Sequence, residues 1–599
     1  MTTTTTTNLP PRAWLNRPVQ QAVHEQALAE GFTPLQARVL AGRLPALPRG
    51  TLRDLVHPSA RHVPRASALP DIDRAAKRLA DAVETGEVLA CVADHDADGI
   101  SAATIVWKAM IELFGVPTER LHIVSSHRLK EGYGVSAKLV ERILALQPRP
   151  TCCITVDQGS TDEARIAELA AHGIDTLVTD HHHVPEEGPP PSAVACVNPI
   201  LPSEFGDPTI CGAMVAWYVM LALHQELAAR GWPVQPKARL LDTLSYAAVA
   251  TCADCVDLGQ SHANRWAVQE GLARIAAGDQ PVWEAFAPFV RNQWSASAIA
   301  FQLAPRLNAG SRVGDAMRGV KALCAPTLRD AFEWVQVLDN ANIERKAIQA
   351  GLTERALAMA APLVADGATA LCLPFYEGGH AGVHGIVASR VVEAFGLPTI
   401  CLSAMEDEPA LMTGSIRSIK GVHVKRTLDR IAREHPELEL RYGGHEGAGG
   451  VRLARERVPE LAAAWELAVA DLLGAPAPPA GEHDGPLPES LSADVAAQLE
   501  ALAPYGRGFP EPSFVVEGEV TRVAPLGRDG KHLQLDLRRA NGRTERLVWF
   551  GSVLPDGTRP LQPGRHRFVV DLGTSTYQRG PGYDLKVKEW IRPGETHGH

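Results

Sequence analysis

Residues 87–99 read EVLACVADHDADG, and this stretch decides the fold class. A short apolar run, 87–93, ends in three aspartates spaced by two, Asp94, Asp96 and Asp98, followed by Gly99. An amphipathic helical pattern (DIDRAAKRLADAVETG) precedes the run, and a second helical pattern, 100–114, follows the acidic loop. The unit recurs. Residues 152–156 (CCITV) read as a strand ending at Asp157, with a helical pattern after it (TDEARIAELAAHG). Residues 176–179 read as a third strand, ending at Asp180, His181 and His182. Strands alternating with helices imply a parallel sheet covered on both faces. Ligands bind such sheets at the carboxyl ends of their strands, which is where these acids and histidines stand.

Each element also has a plainer explanation. D-x-D-x-D-G opens an EF-hand loop, but that loop needs a Glu at its twelfth position. Here that position is Ile105, and a strand rather than a helix leads in. Asp157 alone could be a turn residue, and Gly99 a hinge into the next helix. Three such groups at one sheet edge are harder to explain by packing, because clustered carboxylates repel unless cations hold them. Oxygen and nitrogen donors without thiolates suit Mn²⁺ or Mg²⁺. Cys252 and Cys255 form a single CxxC with no second pair nearby, which is weak grounds for zinc.

The whole chain has 599 residues, enough for about four domains. Hydrophobic residues make up 45% and charged residues 21%, which excludes a mainly disordered or fibrous protein. The longest apolar run, 210–223, has 14 residues and reads as a buried helix, since a membrane span needs about 20. The start, MTTTTTTNLPPR, has no apolar signal core, and ten sparse cysteines fit no disulfide framework. A reduced cytoplasmic protein with no membrane contact is expected. Net charge is −10, yet residues 505–599 carry 15 Lys and Arg against 11 Asp and Glu. That tail is +4 and the rest −14, so a basic appendage on an acidic body can bind a polyanion if cations neutralise the acidic cleft.

Residues 1–65 read as an N-terminal extension with one helical pattern, 20–30; residues 66–330 form the acidic-site domain, with apolar helices over 213–272. A long helical pattern, 339–363, suggests a connecting helix over 331–366. Strand–helix alternation resumes over 367–474 as a second α/β domain. Residues 475–488 hold five prolines in 14 residues and read as a stiff linker, which with a short helix fills 475–504. Residues 505–599 show, over 513–591, short strands with Gly/Pro turns and no long helix, a small β-barrel or sandwich signature. Trp549, Phe550, Tyr577 and Trp590 stand among basic residues there, either as stacking platforms for bases or, for the two tryptophans, as core.

DHDADG, VDQGS and TDHHH, in this order and spacing, resemble the first three motifs of the DHH phosphoesterase superfamily, and Asp254 in VATCADCVDL matches its fourth acidic position. RLKEGYG (128–134) and RLNAGSR (306–312) resemble segments of the RecJ-type exonucleases. HAGVHGIVASR (380–390), GSIRS (414–418) and GGHEGAG (443–449) resemble the DHH-associated second domain, and LAPYGRGFPEPSF (502–514) the entry to the RecJ OB-fold domain. The chain departs from the pattern at Asn308-Ala309-Gly310-Ser311-Arg312, where the family reads N-A-A-G-R, and at His95, where an aromatic or small residue is usual.

The resemblance implies a 5′-to-3′ exonuclease that hydrolyses single-stranded DNA with two divalent cations, Mn²⁺ or Mg²⁺, in DNA repair and recombination. Asp157 would bridge the ions, with Asp94 and Asp96 on one and Asp98, His181 and Asp254 on the other. His182 would contact the phosphate or protonate the leaving group. Arg128, Tyr133, Arg306, Asn308 and Arg312 are expected at the substrate, as are Ser415, Arg417, Ser418, Gly443, Gly444 and His445. Arg417 has the fork that suits a terminal phosphate. Expected partners are single-stranded DNA, a single-strand-binding protein and a helicase, with the chain a monomer. The competing readings are a DHH phosphoesterase for short oligonucleotides or small phosphodiesters, or a non-catalytic single-strand-binding scaffold. The scaffold would have lost metal ligands, and none is lost. A nucleotide-driven motor would need G-x-x-x-x-G-K-[ST], which is absent.

Overall fold

A computed structural model describes residues 13–234, 239–290, 293–405, 407–472, 480–527, 530–553, 559–575 and 582–592. The N-terminal segment holds more structure than its single helical pattern predicts. Strand β1 (Ala13–Asn16) precedes helices Gln21–Ala29, Pro34–Ala41 and Leu52–Val56. The last two are started by reciprocal caps, Thr33 with Gln36 and Thr51 with Asp54. Helices of eight and five residues are too short for periodicity to reveal, and such caps nucleate them.

The first domain is a five-stranded parallel sheet: β2 (Leu89–Ala93), β3 (Leu121–Ser125), β4 (Cys152–Val156), β5 (Asp175–Thr179) and β6 (Ala195–Val197), ordered β3-β2-β4-β5-β6. β2 and β4 are buried at every position, as strands covered on both faces must be. β3 and β6 were not predicted: the first is only half-buried and the second has three residues. From β2 the chain steps to β3 on one side and returns to β4 on the other. The crevice of such a sheet lies at that reversal, between β2 and β4. The 14-residue apolar run enters helix Gly212–Ala229, which is buried along most of its length. Among the described residues no helix is long and apolar enough to cross a membrane.

Thr327 caps a 38-residue helix, Leu328–Ala365, which begins before the predicted pattern and carries Pro362 in its last turn. The second domain is a mixed sheet of β7 (Leu371–Phe375), β8 (Thr399–Ala404), β9 (Leu411–Arg417), β10 (Arg441–Gly444) and β11 (Ala448–Ala454), ordered β10-β11-β9-β8-β7. Only β7 and β8 run parallel.

The stiff-linker reading needs correction over 480–488. β12 (Ala480–His483) pairs in parallel with β1, and Pro486 bridges to Val515. This stretch is built into the protein by backbone pairing, which a proline count does not anticipate. Residues 473–479, which hold three of the prolines, lie outside the described residues. After helix Ala493–Glu500 comes a closed barrel of β13 (Ser513–Leu526), β14 (His532–Arg538), β15 (Thr544–Trp549), β16 (Gly564–Thr574) and β17 (Tyr583–Ile591), ordered β13-β14-β15-β17-β16. Bulges at Val520/Arg522 and Val569/Val570 bend the strands that close it.

Candidate metal centre and strand-end pocket

The aspartates after β2 are placed by backbone chemistry. Asp96 caps helix Ala97–Lys108, its Oδ1 accepting from the Asp98 and Gly99 amides at 2.8 and 3.3 Å. The helix therefore starts earlier than the predicted 100–114 and ends in a π-turn, Ala109–Leu113. Gly99 is needed for close approach rather than for a turn, since a Cβ there would lie 2.5 Å from the Asp94 carbonyl oxygen. Asp98 accepts the Gly212 and Ala213 amides at 2.8 and 2.7 Å, so the first turn of the apolar helix grips its carboxylate.

Asp157 follows β4 with φ +62°, a left-handed conformation costing a side-chain residue about 1–3 kcal/mol. Gly212 makes room for it: a Cβ there would lie 2.6 Å from Asp157 Oδ1. Asp180 after β5 is buried and acts on its neighbours. Its Oδ1 accepts from the His181 amide and from the His182 amide and Nδ1, at 2.8, 3.1 and 2.8 Å, and its Oδ2 accepts from the Ser160 amide. His182 is thereby oriented, and His181 Nε2 lies 3.2 Å from Asp157 Oδ1, 3.6 Å from Asp98 and 3.7 Å from Asp254.

Three donor sets result, each within 4.8 Å: Asp94, Asp96 and Asp157; Asp98, His181 and Asp254; Asp157, His181 and His182. Burial, with Asp96 beside them, raises the carboxyls of Asp94 and Asp98 to about 7. Burial and the neighbouring aspartates also raise Asp157 and Asp254. Burial, then His182, lowers His181 to about 4, leaving a neutral ring with a lone pair. Burial opposes a charge on His182, but Asp180 outweighs it and raises the ring to about 9. Asp157 Oδ1 and His181 Nε2 are buried with no hydrogen-bond partner. Crowded carboxylates, a neutral imidazole and orphaned donor atoms fit hard divalent cations. Cys252 is buried and Cys255 exposed, and no cysteine joins a donor set among the described residues.

Beside the cluster stand three arginines from separate parts of the chain, the first of them Arg128, which donates to Ser311 Oγ at 3.4 Å and whose charge acts on Asp94. Ser415 and Arg417 project from the half-exposed face of β9. Arg417 rests against Gly385, where a Cβ would meet its guanidinium at 2.6 Å. Arg312 donates to the Gly382 carbonyl at 2.7 Å. The two thus flank the start of helix His384–Phe395. Burial, then Arg128, depresses both guanidinium groups, Arg312 to about 9. Such mutual repulsion marks a place where an anion is wanted.

Other expected residues have different duties. Asn308 accepts the Ala97 amide at 2.9 Å and so supports the aspartate loop. Arg306 is committed to Asp339 at 2.8 Å and to the Phe289 ring, and is not brought to the cluster. Ser418 is tied to the Val422 carbonyl. Gly444, at φ +146° and packed on the Ala448 carbonyl, lets β10 turn tightly before the exposed His445. Tyr133 is exposed, its ring 5.1 Å from that of His182. On the barrel, Trp549 and Trp590 are half-buried and contact each other edge to face, whereas Phe550 is 57% exposed; Tyr577 lies outside the described residues.

Sequence reading missed Ser126 and the positioning role of Asp180. Ser126 lies 2.8 Å from His95 Nδ1, and that ring lies 3.1 Å from Asp94 Oδ1, so a buried Ser–His pair backs Asp94. The signal for Ser126 was its place after β3, a strand that periodicity did not show.

Comparison with known proteins assigns the three domains to families. Residues 89–248 match the DHH family, N-terminal domain, residues 367–471 the DHHA1 domain, and residues 484–589 the RecJ OB domain. The single-stranded-DNA-specific exonuclease RecJ of Haemophilus influenzae is 31% identical over 514 residues, covering 82% of this chain and 84% of that one. That of Escherichia coli is 32% identical over 465 residues, covering 74% and 78%. The crystal structure of RecJ in complex with Mn²⁺ from Thermus thermophilus superimposes with a TM-score of 0.78 at 26% identity, covering 98% of this chain and 81% of that one. The Mg²⁺ complex gives 0.72 at 25% identity. The chain belongs to the RecJ family.

Proposed function

We propose that this RecJ-family chain is a metal-dependent exonuclease that hydrolyses single-stranded DNA from the 5′ end, in DNA repair and recombination. The observation that carries this reading is the pairing of a carboxylate–histidine cluster with the Arg128, Arg312 and Arg417 group across one cleft. Asp94, Asp96 and Asp157 would hold one Mn²⁺ or Mg²⁺, and Asp98, His181 and Asp254 the other, with Asp157 shared. When bound, the two cations lower the pKa of water and offset charge on the phosphoryl oxygens.

The chain's own residues do the rest. The Gly212 and Ala213 amides hold Asp98 in place, and Asp180 sets the two histidines. His182 keeps its proton at neutral pH because Asp180 faces Nδ1, leaving Nε2–H to give to the leaving 3′ oxygen. Arg417, Arg312 and Ser415 receive a terminal 5′-phosphate at the start of helix His384–Phe395. A charge-assisted fork there selects an end over an internal linkage.

Every residue of this centre comes from one chain, so a monomer suffices. A single-strand enzyme works where a helicase and a single-strand-binding protein present its substrate. The ten unpaired cysteines suit the cytoplasm. The test is digestion of 5′- and 3′-labelled single- and double-stranded DNA and RNA with Mn²⁺ or Mg²⁺. Mononucleotides should leave from the 5′ end of single strands; release from the 3′ end, or internal cuts, would overturn the reading.

A further inference from the structure

The segment between helix Ala493–Glu500 and the barrel passes beside the metal centre. Residues 506–509 form a tight turn, with paired backbone bonds between Gly506 and Phe509 (2.9 and 3.1 Å) and Gly508 at φ +72°. The turn is clamped to the loop after Asp254. The Arg507 carbonyl accepts the Leu258 amide at 2.9 Å, and a Cβ on Gly259 would lie 2.6 Å from the Gly508 carbonyl oxygen. Asp257 stiffens that loop by accepting the Gly259 and Gln260 amides at 2.7 and 2.8 Å. Behind the turn, the buried Arg265 donates to the Leu502 and Pro504 carbonyls and lies over the Phe509 ring at 4.7 Å. The tip is thus held in place, and between two exposed glycines the side chain it presents is that of Arg507.

Arg507 stands where three parts of the molecule meet. Its backbone is held three to five residues beyond Asp254, and its charge acts on Asp254 of the first domain and on His445 of the second. The barrel begins six residues later, at Ser513. The terminal-phosphate arginines occupy another part of the cleft, at Gly382 and Gly385. The Arg507 turn joins the loop after Asp254 to the barrel, so it lies on the way of a strand that runs from the acids to the barrel. No aspartate or glutamate side chain is hydrogen-bonded or ion-paired to Arg507 among the described residues, so its fork is open to a phosphate.

We propose that Arg507 is a strand-positioning residue whose guanidinium binds the phosphodiester immediately 3′ of the scissile one. This rests on the exonuclease reading above. The contact would hold the second nucleotide while the first is removed, and so join the barrel's grip on the strand to the chemistry.

The test compares the full-length protein with Arg507→Gln and Arg507→Lys on 5′-phosphorylated dinucleotides, trinucleotides and longer single strands. A dinucleotide has no phosphodiester beyond the scissile one, and a trinucleotide has one. In the wild type, kcat/KM should rise from dinucleotide to trinucleotide. Arg507→Gln should cut that rise by about ten- to hundredfold, the worth of one charge-assisted contact, and Arg507→Lys should restore part of it. A neutral methylphosphonate at the second linkage should cost the wild type as much as the substitution does, and cost Arg507→Gln nothing further. Trinucleotide affinity measured in EDTA should fall in parallel. Equal losses on dinucleotide and trinucleotide would assign Arg507 to the metal centre and overturn the proposal, as would no loss at any length. A wild type that does not shorten single strands from the 5′ end would remove the exonuclease reading and this proposal together, a result separate from the other two.

Discussion

Arg43 and Asp484 form a buried, two-pronged ion pair, Nη1 to Oδ1 at 2.7 Å and Nη2 to Oδ2 at 3.0 Å. It joins the N-terminal helices to the residue that opens the barrel segment. Asp484 also accepts the Ser513 amide at 3.0 Å, at the start of β13. Removing one member of a buried pair costs about 3–5 kcal/mol where it leaves an uncompensated charge, and Arg17, 3.6 Å from the same carboxylate, offsets part of that here. Arg43→Ala should therefore lower the unfolding midpoint of the whole protein while leaving the metal donors unchanged. Urea unfolding checks this, and a midpoint equal to the wild type's would show that the pair is not needed for docking.

Asp157→Asn should abolish turnover by orders of magnitude while binding of single strands survives. The same change should stabilise the metal-free protein, because it removes one of several buried carboxylates that raise each other's pKa. In EDTA the variant should melt higher than the wild type. Mn²⁺ at a hundredfold over its Kd should stabilise the wild type by about 2.7 kcal/mol and the variant by less. Near-normal activity in Asp157→Asn would place the metal centre elsewhere.

Arg417→Ala should reduce the preference for a 5′-phosphate over a 5′-hydroxyl by about 1.5–3 kcal/mol. Gly385→Ala should reproduce much of that loss without touching a charge, because the added methyl would displace the guanidinium. Competition kinetics with the two kinds of end measures both. Equal losses on both ends would make Arg417 a general backbone contact.

The barrel's contribution is best probed at Phe550, which is exposed, rather than by deletion. Cutting away residues 505–599 would take the Pro510 carbonyl from Arg43, the Phe509 ring from Arg265 and the Ser513 amide from Asp484, and would lower stability on its own account. Phe550→Ala should raise KM for long single strands by the equivalent of about 1–3 kcal/mol, the worth of one stacked base. Oligonucleotides too short to reach the barrel should lose less. If KM rises equally at every length, Phe550 is not a stacking platform.

Much of the carboxylate–histidine cluster was legible in the sequence because each motif is local, although the sets it forms join residues far apart and Asp254 was reached only through the family resemblance. A buried strand fixes the direction of its last residue, so Asp94, Asp157 and the Asp180–His182 group could be assigned to one sheet edge from three short apolar runs. The turns of the last domain gave a small all-β unit, barrel or sandwich, and the family resemblance pointed to the barrel that the strand pairing closes. Residue roles set by distant partners were not. Arg306 and Asn308 lie in one helix, yet one braces Asp339 and the other holds the Ala97 amide. The Arg128, Arg312 and Arg417 group exists only once two domains close on each other. The proline-rich stretch read as a linker until β12 found β1. Local periodicity and capping decide which segments become strands and helices. Which side chains share a cleft is decided by burial between segments hundreds of residues apart, and only the folded chain shows it.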